Sequence, residues 1–145
     1  MSDETRTAIP RSFWIIAIVA LVWNLVGVAN YIFHVTMTEE ALMQMLADQR
    51  LLVEAIPAWA TAAFAIAVFG GTLGCVLLLM KKVLASSLFV ISLAGIVAQM
   101  YHAFVIAGAF EVHGPAGLVL PALVTAIGVL LIWYSKHATA QGWIT

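Results

Sequence analysis

The sequence predicts an all-α fold, a bundle of four transmembrane helices with a short amphipathic outer helix between the first two. Of the 145 residues, 64% are hydrophobic and 9% are charged, whereas a soluble domain carries about 25% charged residues. Such a chain has too little polar surface for a water-facing exterior, so we expect one integral membrane domain in contact with lipid. Four runs lack Asp, Glu, Lys and Arg: residues 12–33, 58–80, 83–110 and 116–134.

The second run, residues 58–80, is the best-defined predicted span. Its 23 uncharged residues would form a helix of about 34 Å at ~1.5 Å per residue, enough to cross a ~30 Å hydrocarbon core. Pro57 precedes the run, and two lysines follow it. Glycines in such a helix let another helix approach closely in lipid. We predict a helix-packing role for five glycines of the first three spans: Gly27, Gly70, Gly71, Gly74 and Gly95.

The other predicted spans differ in length. Residues 12–33 form a retained first span, because a signal peptide has a shorter apolar region and a small-residue cleavage site. The 28 residues of the run 83–110 exceed what a bilayer requires, so this span must tilt, project beyond the lipid or break near Gly108. Residues 36–55 have a helical pattern but are too polar to span, and they predict an amphipathic helix that lies on the membrane surface or folds over the mouth of the bundle. The fourth span is predicted at residues 116–134.

The lysines and arginines predict the orientation. Four spans place both termini and the connection between spans two and three on one side of the membrane. The other side holds only Arg50. Positive residues favour the cytoplasmic side, so we expect cytoplasmic termini in a bacterial inner membrane. The positive residues on the predicted cytoplasmic side are Arg6, Arg11, Lys81, Lys82 and Lys136.

Polar residues form one stripe on the first span and one on the third. Asn24 and Tyr31 are seven positions apart, as are Ser92 and Gln99, so each pair lies on one helix face. Presenting a carboxamide to lipid is costly, and the stripes should therefore face inward. We predict that spans one and three are neighbours and share a polar interior. The alternative is that these groups only join helices by hydrogen bonds.

Three histidines are predicted at the outer face: His34, His102 and His113. Imidazole is a suitable metal ligand, but no HxxxH or CxxC spacing is present, so we predict no metal and no cofactor. The sequence has no nucleophile elbow or phosphate-binding loop and predicts no enzyme. The net charge of −1 argues against a nucleic-acid partner. Uncharged span cores argue against a proton-coupled carrier and favour a neutral solute or none.

Two stretches carry a resemblance to a known family. WNLVGVANY (residues 23–31) and PAWATAAFAIAVFGGTLGCVLLLMKK (residues 57–82) resemble a family of small bacterial four-helix membrane proteins often labelled "sugar transporter". The resemblance implies the four-helix fold and favours a transporter-like function, but it brings no catalytic or binding residues.

Two classes of function remain open from the sequence. One is a transporter-like bundle for a neutral small solute, expected to form a homo-oligomer in the membrane lipid. The other is a non-catalytic accessory or assembly subunit that packs against a larger membrane complex.

Overall fold

Four long helices form an antiparallel bundle in the computed structural model, which describes residues 8–145. Each is long and apolar enough to cross a membrane. The predicted all-α fold with four long apolar helices is therefore confirmed, and it fits a multi-pass membrane protein. Arg6, used for the predicted orientation, lies outside the described residues. The long helices are α1 (Arg11–Val35), α4 (Ala58–Leu79), α5 (Leu84–Met100), which continues as a π-helical segment (Tyr101–Ile106), and α7 (Val119–Ala140).

The segment predicted as one outer helix, residues 36–55, contains two short helices. These are α2 (Glu39–Met43) and α3 (Ala47–Glu54), separated where Leu46 adopts an extended conformation with ψ 142°. The hydroxyl of Thr38 accepts a hydrogen bond from the backbone N–H of Ala41 at 3.2 Å, which satisfies one of the free amides at the start of α2.

The third apolar run breaks near Gly108, one of the three outcomes that its length allows. The α-helix changes to π geometry at Tyr101, and Gly108 has φ +65°, a left-handed conformation that glycine adopts without steric cost. The chain then continues as α6 (Ala109–His113) and a 3-10 turn (Pro115–Leu118) before α7. The last helix also extends to Ala140, six residues beyond the predicted end, because helical hydrogen bonding continues after the apolar run stops.

Helix α4 is central. It packs against α1 on one side and α5 on the other, and α7 packs against α5. Spans one and three therefore contact α4 rather than each other, in contrast to the predicted direct neighbourhood. The reason is the small side chains of α4, many of them buried, which let both partners approach its axis.

The two ends of the bundle differ. The terminal end contains the start of α1 and the turn between α4 and α5; the loop end contains α2, α3 and α6. The terminal end is closed by buried side chains, among them Phe13, Leu78 and Ile144. The C-terminal segment pairs with the α4–α5 turn, since the Val83 N–H donates to the Thr145 carbonyl at 3.0 Å. Side chains and backbone hydrogen bonds therefore fill this end of the bundle.

Candidate functional site

A cavity of about 460 Å³ lies between the four long helices. It exists because α1 packs on α4 and α7 packs on α5, which leaves a space between α1 and α7. Small residues widen this space, including Gly27 on α1, Ala67 on α4 and Gly128 on α7. Its lining contains aliphatic, aromatic and a few uncharged polar side chains, and no Asp, Glu, Lys or Arg among the described residues.

Asn24 lines this cavity and lies against Gly71 of α4. Its side-chain Nδ2 donates to the Ala20 carbonyl oxygen at 2.8 Å and contacts the Cys75 Sγ at 3.5 Å. The Asn24 Oδ1 lies at the position where a side chain on residue 71 would begin. A side chain at residue 71 would therefore displace the Asn24 amide, which joins α1 to α4 through its contact with Cys75.

Ser92 approaches the same point from α5. Its hydroxyl donates to the Ala67 carbonyl of α4, and its Oγ would lie 3.3 Å from a Cβ at Gly71. Asn24 and Ser92 thus come together, but across α4 rather than through direct packing of their own helices. Ser92 is 6% exposed, and its hydrogen bond satisfies a buried hydroxyl that would otherwise be costly in lipid.

Gln99 differs from these two residues. It lines the same cavity, is partly buried, and its side chain makes no hydrogen bond within residues 8–145. A carboxamide without a partner is unfavourable in an apolar environment. Asn30, at the edge of the cavity, also makes no side-chain hydrogen bond with the described chain. The cavity therefore contains two uncharged side chains that can each donate and accept hydrogen bonds.

Tyr31 does not line this cavity. Its ring packs edge-on against Phe64 and Phe69 of α4, with ring centroids 5.4 and 5.6 Å apart. Tyr31 and Asn24 differ in this respect because different residues of α4 lie opposite them. At the level of Asn24, α4 presents a glycine and leaves room for a polar group, whereas at the level of Tyr31 it presents aromatic rings. Tyr31 thus belongs to the α1–α4 packing contact.

The predicted outer histidines line a second cavity of about 230 Å³ at the loop end. His102 is 5% exposed and lies in the π-helical segment, with its ring edge-on to Trp59 at 5.4 Å. His34 packs near Phe64, with ring centroids 6.1 Å apart, and His113 borders both cavities. Among residues 8–145, no group of three His, Cys, Asp or Glu side chains is arranged to hold a metal ion.

The two cavities are adjacent. Phe64, Gln99, Ala103, Ala109 and His113 line both. The smaller cavity lies beneath α3, which contributes Leu52 and Val53 to its wall. These shared residues form a boundary between a loop-end cavity and the central one, and Gln99 is the amide side chain at that boundary.

Two of the predicted packing glycines lie between α4 and α5. A Cβ at Gly74 would be 2.6 Å from the ring of Phe89, and a Cβ at Gly70 would be 3.3 Å from the Cβ of Ser92. Phe89 is 2% exposed, so its ring has little freedom to move aside. Both positions lie where α4 and α5 approach most closely.

The other two predicted glycines also face α4. A Cβ at Gly27 would be 3.1 Å from Val68, and one at Gly95 would be 2.7 Å from the Ala63 carbonyl oxygen. The contact at Gly95 is with backbone, which cannot rotate away as a side chain can. The glycines of α1 and α5 therefore face α4 and do not bring α1 and α5 together.

Several lining residues were not predicted from the sequence. Asn30 was missed, although it follows Gly27 by three positions and so lies on the same helix face. The contribution of α7 was also missed, because its apolar run contains few polar residues to mark a face. Gly128 and Thr125 were the residues of α7 that could have indicated its inward face. The Thr125 hydroxyl donates to the Pro121 carbonyl at 2.9 Å and contacts the Met100 sulfur at 3.2 Å.

Comparison with known proteins found no matching family model, no matching curated protein and no matching solved structure. The resemblance of residues 23–31 and 57–82 to a small membrane-protein family therefore stays a prediction. The argument for function rests on the geometry of the two cavities.

Proposed function

We propose that the protein is a small transporter-like bundle that binds a neutral solute in the central cavity. The observation that supports this is a space of about 460 Å³ reached by all four long helices and lined without Asp, Glu, Lys or Arg. Pockets for small molecules commonly measure ~300–1,000 Å³ and combine apolar walls with a few polar groups. Burying an ion in such a space without a counter-charge is costly, which favours an uncharged solute.

The closed terminal end fits one state of an alternating-access cycle. Phe89 and Leu131 line the central cavity and also belong to the buried cluster at the terminal end. Toward the loop end, the central cavity adjoins the smaller one, and Gln99 is one of the residues that line both. Passage of a solute would therefore require the cluster at the terminal end to open after the solute has bound.

The proposal includes location and assembly. Four of the five lysines and arginines among residues 8–145 lie on the side of the termini, which supports cytoplasmic termini in a bacterial inner membrane. A self-assembled oligomer would cover part of the exposed surface of α1 and α7.

The alternative, an accessory subunit, depended on small-residue faces being free to contact a partner. The small residues of α4 are largely buried inside the bundle, which weakens that support.

The proposal is tested by measuring solute binding to the unchanged protein and to its Gln99→Leu variant. The purified protein in mild detergent is screened for thermal stabilisation by neutral solutes, from sugars and polyols to alcohols and amides with an aliphatic chain, since a ligand that binds only the folded state raises its stability. Uptake of any binder is then measured in proteoliposomes. We expect Gln99→Leu to fold normally and to lose binding and uptake.

Gln141→Leu is the matched control, because Gln141 is exposed and lies outside both cavities. It should bind and transport like the unchanged protein. If no neutral solute stabilises the protein, or if Gln99→Leu binds as well as the control, the proposed function is wrong. Constant co-purification with larger subunits, without solute binding, would favour the accessory role instead.

A further inference from the structure

The solute class can be narrowed by the shape and polarity of the central cavity. Resting on the proposed function, we propose that the solute is a neutral amphipathic molecule that enters from the lipid between α1 and α7. Its polar group would be bound by Gln99, and its apolar part would extend toward Phe89 and Leu131. Such a molecule would combine an uncharged hydrogen-bonding head, such as a hydroxyl or amide, with an aliphatic chain.

The opening toward lipid follows from the helix contacts. Helices α1 and α7 pack on different partners and approach each other at the terminal end, where the Phe13 and Tyr134 rings are 6.3 Å apart. Farther along, Val26 and Leu120 line the cavity while remaining 55% and 59% exposed. A side chain that both lines a cavity and is mostly exposed forms its rim. This rim lies within two apolar spans, so the opening faces hydrocarbon rather than water.

The polar groups of the cavity are not evenly distributed. Those without a partner in the described chain, Asn30 and Gln99, lie toward the loop end together with His113. Asn24 and Ser92 lie deeper, and both already donate hydrogen bonds to backbone carbonyls. The free hydrogen-bonding capacity is therefore near the membrane surface at the loop end.

The deep part of the cavity is apolar. Its wall toward the terminal end includes Phe89, Ile127 and Leu131, and these side chains offer no hydrogen bond to a sugar hydroxyl. A polyhydroxylated solute would lose hydrogen bonds to water there without replacing them. An aliphatic chain would instead gain apolar contact. An amphipath lying in one leaflet has the same polarity profile, with its head at the surface and its chain toward the bilayer centre.

Photolabelling in lipid nanodiscs tests this inference. The probe is a long-chain primary alcohol with a diazirine near the end of its chain, and the comparison probe is the carboxylate of equal length. We expect the alcohol to label the peptide containing Ile127 and Leu131, and unlabelled alcohol should suppress this labelling saturably. The carboxylate should label it at least about tenfold less at equal concentration, because its charge would leave water for a cavity that no Lys or Arg lines.

Two variants locate the head group. Gln99→Leu should raise the half-saturating alcohol concentration about tenfold, the effect of one hydrogen bond lost in an apolar site, and Gln141→Leu should not change it. The unfolding midpoint is measured for both variants. If Gln99→Leu does not fold, Asn30→Leu replaces it, because Asn30 is exposed at the edge of the cavity and its side chain makes no hydrogen bond with the described chain.

The outcomes separate this inference from the proposed function. Labelling that does not saturate, or that is unchanged in Gln99→Leu, overturns entry of an amphipath from lipid. If a water-soluble sugar nevertheless stabilises the protein in a manner that depends on Gln99, the proposed neutral-solute function survives and only the amphipath is excluded. If neither the alcohol nor a sugar binds, both proposals are wrong.

Discussion

Replacing Gly71 by alanine should destabilise the bundle, because an added group in a tightly packed interior costs about 1–3 kcal/mol and the better helix propensity of alanine offsets at most ~1 kcal/mol of this. The new methyl group would occupy the position of the Asn24 Oδ1. To make room, Asn24 must move away from the Ala20 carbonyl, to which its Nδ2 donates at 2.8 Å. That hydrogen bond lies within α1, and even a hydrogen bond between helices in a membrane contributes only ~0.6 kcal/mol on average, so steric overlap accounts for most of the expected loss.

Gly128→Ala is the matched control. A Cβ at Gly128 would meet only the terminal methyl groups of Leu93 and Ile96, at 3.3 and 3.4 Å, and these can move slightly. Alanine is also a better helix former than glycine by up to ~1 kcal/mol. Gly128→Ala should therefore be neutral or mildly stabilising, and Gly71→Ala should be less stable than this control by at least about 1 kcal/mol.

The measurement is reversible unfolding in mixed micelles of mild and denaturing detergent, combined with a double-mutant cycle. Asn24→Ala removes the group that the new methyl would meet, so it should relieve most of the cost of Gly71→Ala. Residues in contact show coupling energies of about 0.5–3 kcal/mol, and we expect a value in this range. Equal stability of Gly71→Ala and Gly128→Ala, or additive effects of the Asn24 and Gly71 changes, would refute the described packing.

Three further predictions address packing, orientation and the polar site. Gly95→Ala should cost more stability than Gly128→Ala, because its Cβ would lie 2.7 Å from a backbone carbonyl oxygen of α4; equal unfolding midpoints would contradict this contact. Alkaline phosphatase fused after Arg50 should be active and the same fusion after Lys82 inactive, and the reverse pattern would invert the proposed orientation. Gln99→Leu should leave the free energy of unfolding unchanged or raise it. A decrease of more than ~1 kcal/mol would show that the Gln99 side chain has a hydrogen-bond partner in the folded protein.

The four spans could be predicted because the length of an uncharged run determines directly whether a helix can cross a bilayer. The sequence allowed three outcomes for the overlong run 83–110, and a break near Gly108 was one of them. The left-handed conformation of Gly108 in the structure shows that this outcome is the correct one. The order of packing could not be read in the same way. A helix that is apolar on every side gives no signal about which face meets which neighbour, so the placement of α4 between α1 and α5 was not visible.

The polar stripes predicted the cavity only in part, because a stripe shows which face is polar but not what lies opposite it. Asn24 and Tyr31 are seven positions apart on one face, yet α4 presents Gly71 to the first and Phe64 to the second. Glycine leaves space for a polar side chain at the edge of a cavity, and phenylalanine fills that space. Whether a stripe residue lines the cavity therefore depends on the α4 residue opposite it. The α4 glycines were assigned from the sequence only to helix packing, so the sequence did not show this dependence.

The last prediction concerns which helix would move if a solute passes through the bundle. In the most apolar part of α4, 44% of the residues are buried inside the bundle, whereas in the span that contains α7 only 6% are buried. Helix α7 is therefore the least constrained of the four. At the terminal end it is joined to α5 by a hydrogen bond from the Ser86 hydroxyl to the Ser135 hydroxyl, with the oxygens 2.9 Å apart.

Two cysteines at these serine positions, in a Cys75→Ala background, should form a disulfide, because the Oγ atoms of Ser86 and Ser135 are already adjacent and disulfides require closely placed Cβ atoms. We expect oxidation to stop transport in proteoliposomes while solute binding is retained, and reduction to restore transport. Each single-cysteine variant should be insensitive to the oxidant. Transport that continues after complete cross-linking would mean that α7 does not separate from α5 at this end, and the opening would then have to occur between α1 and α7, where Phe13 meets Tyr134.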